Sequence, residues 1–143
     1  MEGYLSRLCA CDQSVNPLFG MLGLRLVEAK GMKATLTLPI MPGFRQGGGV
    51  VAGGILATLA DEAMAHAVMA AIQKHVVTIE MNIRYLRSAP IDCDGLLVAK
   101  AEVIKAGKTI VVAEAHLYKG EDILLATAGG SFAVVDPARL GKK

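Results

Sequence analysis

A glycine cluster precedes two adjacent carboxylates at a spacing that could serve acyl chemistry. Gly53 and Gly54 begin a long apolar run that contains Asp61 and Glu62. If that run is a helix, its first N–H groups have no intrahelical partners, and together with the helix dipole they could stabilise an oxyanion. Glycine also leaves room for a substrate carbonyl to approach. The same glycines could equally do no more than begin a tightly packed helix.

The element that must position these groups runs from Gln46 to Gln73. On a helix with 100° per residue, its few polar residues lie within an arc of roughly 140°. They are Thr58, Asp61, Glu62, His66 and Gln73. A helix so apolar must be buried on most sides, and its two carboxylates argue against a membrane span. We therefore predict one long central helix, with a second subunit as the simplest element to cover its polar arc.

Six other segments have the alternation or composition of β-strands. They cover residues 22–29, 32–38, 76–85, 96–105, 109–118 and 123–135. Alternation in the third places Thr78 beside Glu80 on its polar face. Runs of strands around one helix predict an α+β fold with a curved antiparallel sheet of five to six strands. Residues 1–20 are predicted to be a helical lead-in that ends near Asn16-Pro17, and residues 136–143 a flexible tail.

Composition limits the remaining possibilities. A chain of 143 residues, 53% hydrophobic and 20% charged, predicts a single domain with a sizeable core. The net charge of +2 gives no electrostatic case for nucleic acid. Cys9, Cys11 and Cys93 lack the spacing of a zinc or redox motif, and the scattered histidines predict no metal. The N-terminus lacks the pattern of a secretory signal, so we expect a cytoplasmic protein.

Several short motifs, weak alone, occur here in a specific order. They are Gln46-x-x-Gly49-x-x-Ala52-Gly53-Gly54, Leu59-Ala60-Asp61-Glu62-Ala63, Met81-Asn82-Ile83-x-Tyr85-Leu86-x-x-Ala89 and Lys105-x-Gly107-Lys108. In this arrangement the chain resembles the hot-dog-fold acyl-CoA thioesterases of the phenylacetate-pathway (PaaI-like) group. The resemblance covers most of the chain, from residue 16 to residue 135. It implies a helix wrapped by a sheet, dimers usually paired into tetramers, and active sites at subunit interfaces.

The resemblance also implies individual roles. Gly53 would offer its N–H to the thioester carbonyl, and Asp61 matches the family's catalytic carboxylate. Thr78 matches a Ser or Thr that positions the attacking water. Gln46 stands where the family usually has Asn, and could donate its amide N–H to the carbonyl. Ala52 stands where the family usually has a His that helps to orient the thioester.

Helix geometry bears on the same residues independently. Asp61 lies seven to eight residues after the glycine pair, which is about 10–12 Å along a helix axis. A general base must lie within about 3 Å of the water that it activates. If both groups act on one carbonyl, the carboxylate must come from a neighbouring subunit. Otherwise Asp61 is an ordinary interface carboxylate, and Glu62, four residues from Thr58 and from His66, only hydrogen-bonds along the helix.

Substrate-binding residues are also predicted. Gly54 and Glu62 flank the candidate catalytic groups. Lys105, Gly107 and Lys108 could hold CoA phosphates, because two cations flank a turn with accessible backbone N–H groups. Arg84 and Arg87 could add to the cationic patch that the two lysines form. A solvated hairpin turn would account for the Lys105–Lys108 segment equally well.

We therefore predict a thioesterase that hydrolyses an aryl- or medium-chain acyl-CoA to free acid and CoA. Asp61 would be its general base or nucleophile, and the enzyme would need no cofactor, since CoA is part of the substrate. We expect a homodimer paired into a tetramer, without nucleic acid or membrane. The alternative is a non-catalytic protein that binds or senses acyl-CoA, which Ala52 motivates; a purely structural dimer is a third reading. A hot-dog dehydratase is disfavoured because its catalytic His has no counterpart here.

Overall fold

The computed structural model describes residues 1–92 and 94–139. Within them, a six-stranded antiparallel sheet curves around one 20-residue helix. The helices are α1 (Glu2–Cys9), α2 (Pro17–Leu22) and α3 (Gly53–Ile72). The strands are β1 (Arg25–Lys30), β2 (Lys33–Pro39), β3 (His75–Tyr85), β4 (Leu96–Ala106), β5 (Ile110–Lys119) and β6 (Ile123–Val135). In the sheet their order is β1-β2-β4-β5-β6-β3, so β1 and β3 are the edges.

The core lies between α3 and the concave face of the sheet. Helix side chains that are fully buried there include Leu59, Ala60, Ala63, Met64 and Ala67. Small residues dominate this set, which lets the sheet backbone approach the helix closely. By length and composition α3 could cross a membrane, and its two carboxylates do not exclude that. More than half of it is instead buried inside the fold, as expected for a core helix.

Leu59→Ala is expected to lower the free energy of unfolding by about 2–5 kcal/mol, because Leu59 is completely buried and its removal leaves a cavity in a packed core. Urea denaturation followed by circular dichroism measures this change. Met21→Ala is the matched control, since Met21 is largely exposed on α2 and its truncation should stay within about 0.5 kcal/mol of wild type. Equal effects of the two variants would contradict this placement of the core.

The N-terminal boundaries differ from those predicted. Helix α1 ends at Cys9, and Pro17 begins a second helix instead of ending the first. Proline is favoured at the first helical position, where its missing N–H costs nothing. Gly23, with φ of 80°, ends α2, so β1 starts at Arg25 and not at residue 22. At the other end, residues 137–139 form a 3-10 turn, while residues 140–143 of the predicted tail lie outside the described range, as does Cys93.

A β-bulge in β3 reverses the predicted orientation of Thr78. Thr78 pairs with Phe132, but Glu80 pairs with the very next residue of β6, Ser131, so Ile79 is an extra residue. Directly opposed residues share one face of a sheet. Phe132 is fully buried on the helix face, and Thr78 therefore faces α3 as well. The alternating pattern, which placed Thr78 beside Glu80, was wrong because it allowed for no bulge.

Candidate active site

The catalytic carboxylate predicted from the sequence is held by a strand residue of the same chain. Asp61 lies in the third turn of α3, and Thr78 lies on the edge strand β3. The Thr78 hydroxyl donates a hydrogen bond of 2.7 Å to Oδ1 of Asp61. Within the described part of the chain, Oδ2 has no such partner. Asp61 is half-buried and Thr78 is exposed, so that oxygen is open to water and to substrate.

The glycine end of α3 is shaped by an aromatic side chain. Tyr85 donates its hydroxyl to the carbonyl oxygen of Gly53 at 2.7 Å. A Cβ atom on Gly53 would lie 3.1 Å from the Tyr85 ring, so glycine permits this close packing. Among the described contacts, the N–H groups of Gly53 and Gly54 have no backbone acceptor, while that of Ile55 bonds to Ala52 at 3.0 Å. Two N–H groups are thus available to an oxyanion at this end.

A cavity of about 330 Å³ lies beside these N–H groups. It is lined by Val51, Gly53, Leu56, Tyr85, Leu86, Arg87, Ser88 and Ala89. Gln46 lies in the preceding loop and accepts a hydrogen bond from the N–H of Gly48, so its side chain is turned back on its own loop. Arg87, predicted to bind CoA, does lie at the glycine end of α3.

The predicted phosphate-binding turn lies at the opposite end of the sheet. Lys105 and Lys108 flank the β4–β5 turn, which the Gly107 N–H closes on the carbonyl of Ile110 at 3.0 Å. The N–H of Val134 bonds to Thr109 beside this turn. Val134 also pairs with Val76 at the start of β3, whereas Arg87 follows the far end of that 11-residue strand, about 30 Å away. A single chain therefore does not bring the lysine turn to Arg87 or to Gly53.

A buried hydrogen-bond chain next to Asp61 was not predicted from the sequence. His66 is 1% exposed, and its Nδ1 lies 2.7 Å from the Glu62 carbonyl. A carbonyl only accepts, so Nδ1 carries the proton and Nε2 accepts from the Tyr4 hydroxyl at 3.1 Å. Asn16 in turn donates to the Tyr4 oxygen at 3.0 Å. The part of the predicted polar arc that contains His66 is therefore covered by α1 of the same chain.

This environment shifts the pKa values of His66 and Glu62 in opposite directions. Burial lowers the pKa of His66 to about 4, which keeps the ring neutral. Burial and, second, the neighbouring charge of Asp61 raise the pKa of Glu62 to about 7. Glu62 is therefore a mixture of acid and carboxylate near neutral pH. In residues 1–92 and 94–139, no three His, Cys, Asp or Glu side chains gather as a metal site.

A second cavity, of about 470 Å³, lies beside Asp61. Its wall consists of residues from α1, the following turn, α3 and the start of β3. They are Tyr4, Val15, Asn16, Asp61, Glu62, Ala65, His66, Met69, His75, Val76, Val77 and Thr78. The carboxylate–hydroxyl pair thus lies at the border of a cavity large enough for a small organic group.

Comparison with known proteins places the chain among enzymes of one superfamily. Residues 48–126, more than half of the chain, match the family model of the thioesterase superfamily. A Halobacterium salinarum protein named "Putative esterase" is 35% identical over 130 residues, which cover 82% of this chain and 83% of that protein. The chain therefore belongs to the thioesterase superfamily.

Solved structures with a similar fold identify the architecture. The PaaI protein of the E. coli phenylacetic acid degradation operon superposes with a TM-score of 0.81 at 21% identity, over 94% of this chain and 95% of that one. A Streptococcus pneumoniae protein described as a hypothetical thioesterase and solved with coenzyme A superposes with a TM-score of 0.72 at 21% identity, over 78% of this chain and 85% of that one. The long helix inside the curved antiparallel sheet is the hot-dog fold, as the resemblance implied.

Thr78→Val is expected to lower kcat for thioester hydrolysis by about 10- to 100-fold with little change in KM, because it removes the hydrogen bond that the Thr78 hydroxyl donates to Asp61 without changing side-chain shape. Steady-state kinetics measure the split. Thr78→Ser keeps the hydroxyl and should recover most of kcat. A valine variant with wild-type kcat would show that the hydroxyl does not position the carboxylate.

Proposed function

We propose that this protein hydrolyses acyl-CoA thioesters to the free acid and CoA. The observation that carries this proposal is the Asp61–Thr78 pair, which has one carboxylate oxygen open to water at the border of a cavity. Membership of the thioesterase superfamily supports the reaction class. The likeness to a hypothetical thioesterase solved with coenzyme A supports CoA as the thiol. The likeness to PaaI from a phenylacetic acid degradation operon supports an aryl acyl group, and a medium-chain acyl group is the other proposed substrate.

In the proposed reaction, Asp61 accepts a proton from water as the hydroxide attacks the thioester carbon. The carbonyl oxygen takes the electron pair and is stabilised by the N–H groups of Gly53 and Gly54. Collapse of this intermediate breaks the C–S bond and expels CoA thiolate, which takes up the proton. Direct attack by the carboxylate, through an anhydride that water then opens, gives the same products.

If Gly53 and Asp61 act on one carbonyl, helix geometry favours a site built from two subunits. Gly53 and Asp61 are eight residues apart on one straight helix, a separation of about 12 Å along its axis. We propose a two-fold dimer with antiparallel α3 helices, in which Gly53 of one protomer faces the partner's Asp61. Strand β3 supports this arrangement, because it is an edge strand with exposed apolar side chains at Val77, Ile79 and Tyr85.

The same two-fold axis would bring the lysine turn of one protomer close to Arg87 of the other. Ile72 lies 11 residues beyond Asp61, so the end of the partner's α3 would extend about 16 Å past Gly53. The partner's Lys105 and the partner's Lys108 flank a turn beside that end. They would meet the end that carries Arg87, as expected for a site that binds the phosphates of an extended CoA. Exposed apolar residues on the outer sheet face, such as Ile110, favour pairing of dimers into tetramers.

A panel of acyl-CoAs with a thiol-detecting reagent tests the activity directly. Release of free CoA from aryl- or medium-chain substrates is expected, and no release from any member would contradict hydrolysis.

The second candidate function is non-catalytic acyl-CoA binding. It is favoured by Ala52, which caps α3 without a side-chain hydrogen bond at the position nearest the proposed oxyanion. Thermal stabilisation by acyl-CoA without turnover would establish that function instead.

A further inference from the structure

The N-terminal helix α1 contributes to the wall of the cavity beside Asp61. Asp61 and Thr78 line one side of it, while Tyr4 and Asn16 line another. Tyr4 is hydrogen-bonded to His66, which is five residues beyond Asp61 on α3 and thus about 7–8 Å further along the helix axis. An acyl group whose carbonyl lies at the carboxylate therefore has about that length of cavity before it meets the Tyr4 ring.

Two hydrogen bonds and one ring-stacking contact hold Tyr4 in this position. Its hydroxyl donates to His66 and accepts from Asn16, and its ring stacks on the imidazole with centroids 5.8 Å apart. Phe19 packs on the same imidazole at 5.1 Å. His66 is the buried polar residue of the described core, and without Tyr4 its Nε2 would lose its hydrogen-bond partner. Loss of that bond would be costly, so the N-terminal segment stays docked.

We propose that the cavity beside Asp61 holds the acyl group and that Tyr4, anchored by His66 and Asn16, is the residue that limits its length. This inference rests on the proposed function and deepens it by naming a specificity-determining residue. Tyr4 does not touch the reacting atoms. Its ring stands in the path of a longer acyl chain, and its hydrogen bonds prevent the ring from moving aside.

Acyl-CoAs of increasing chain length, from butanoyl to dodecanoyl, test this role by their kcat/KM values. Wild type should lose activity beyond a medium chain. Tyr4→Ala should raise kcat/KM for the longest substrates by at least about tenfold relative to butanoyl-CoA, mainly through a lower KM. Tyr4→Phe keeps the ring but loses both hydrogen bonds of the hydroxyl, so it should relax the length limit less than Tyr4→Ala does. Ser6→Ala, on the exposed side of α1, is the matched control and should leave the profile unchanged.

Two further measurements keep the outcomes separable. Tyr4→Leu, which restores packing, replaces the alanine variant if that variant does not fold. Thermal stabilisation by non-hydrolysable thioether analogues of the same chain lengths reports binding even without turnover. Failure of wild type to hydrolyse any substrate would refute the proposed function. A length profile that is identical in wild type, Tyr4→Ala and Tyr4→Leu, by hydrolysis or by binding, would refute the role of Tyr4.

Discussion

Asp61→Asn is expected to lower kcat for acyl-CoA hydrolysis by about 10²–10⁴-fold, the usual contribution of a positioned base. Asparagine has nearly the same shape as aspartate, and its amide oxygen can still accept the Thr78 hydroxyl, which lies 2.7 Å from Oδ1. The amide cannot accept a proton from water at neutral pH, nor attack a thioester. Since geometry is kept and only proton affinity is lost, the effect should appear in kcat and leave KM nearly unchanged.

The assay follows free thiol release under saturating substrate. Glu121→Gln is the control, because Glu121 is an exposed carboxylate in the β5–β6 turn and its neutralisation should not alter kcat. Thermal stabilisation of Asp61→Asn by CoA should match that of wild type, which would show that the binding site is intact. An asparagine variant that turns over as fast as wild type would remove Asp61 from the mechanism.

Helix α3 and most of the sheet could be predicted because their residue patterns are local. The apolar run without a breaker predicts the helix itself, whereas Gly53 as its first residue came from the family resemblance, and residues 46–52 of the predicted stretch precede the helix. Alternation in β2 places Ala34, Leu36 and Leu38 in the core, as the structure has them. Met32, which continues the same alternation, lies outside the strand and is exposed.

Thr78 shows where local patterns fail. Its identity as a site residue came from family resemblance, and its predicted face was wrong because a one-residue bulge at Ile79 leaves no periodic signal. The Tyr4–His66 hydrogen bond joins residues that are 62 positions apart. Helix and strand periodicity cannot predict a contact between residues so far apart in the sequence. A histidine on a helix that is apolar over most of its surface was the available signal, because a buried imidazole requires a polar partner.

The pH dependence of stability should reveal two opposing groups on adjacent turns of α3. The pKa of Glu62 is raised from 4.5 to about 7, so the folded state binds its proton more tightly than the unfolded state. Its contribution to stability is therefore full below pH 4.5 and is lost as pH rises to about 7. The pKa of His66 is lowered from 6.5 to about 4, so its contribution is present above pH 6.5 and is lost as pH falls towards 4.

Both side chains are well buried, at 20% and 1% exposed, so each shift is worth on the order of 3 kcal/mol at its limit. The two slopes oppose each other between about pH 4.5 and 6.5, and the unfolding free energy of wild type should change little there. Asp12 and Asp92 have lowered pKa values, which adds a loss of stability in stronger acid that all variants share.

Single substitutions should separate the two slopes. Glu62→Gln mimics the protonated acid, so it should match wild type at pH 4.5 and exceed its unfolding free energy by up to about 3 kcal/mol at pH 8. That variant keeps only the His66 slope and should gain stability from pH 4 to 6.5. His66→Asn should keep only the Glu62 slope, so its unfolding free energy should fall as pH rises to 7. The loss of the Tyr4 hydrogen bond should lower its unfolding free energy at every pH and leave this slope unchanged.

Urea denaturation of the three proteins at half-unit steps from pH 4 to 8 measures these slopes, with protein concentration fixed because oligomers unfold with concentration dependence. Asp61→Asn supplies a further check, since its lost charge should move the Glu62 transition to lower pH. Parallel curves for wild type and Glu62→Gln would mean that Glu62 is ionised in the fold at pH 5. The carboxyl beside the catalytic pair would then be a permanent second charge, and burial would not govern its titration.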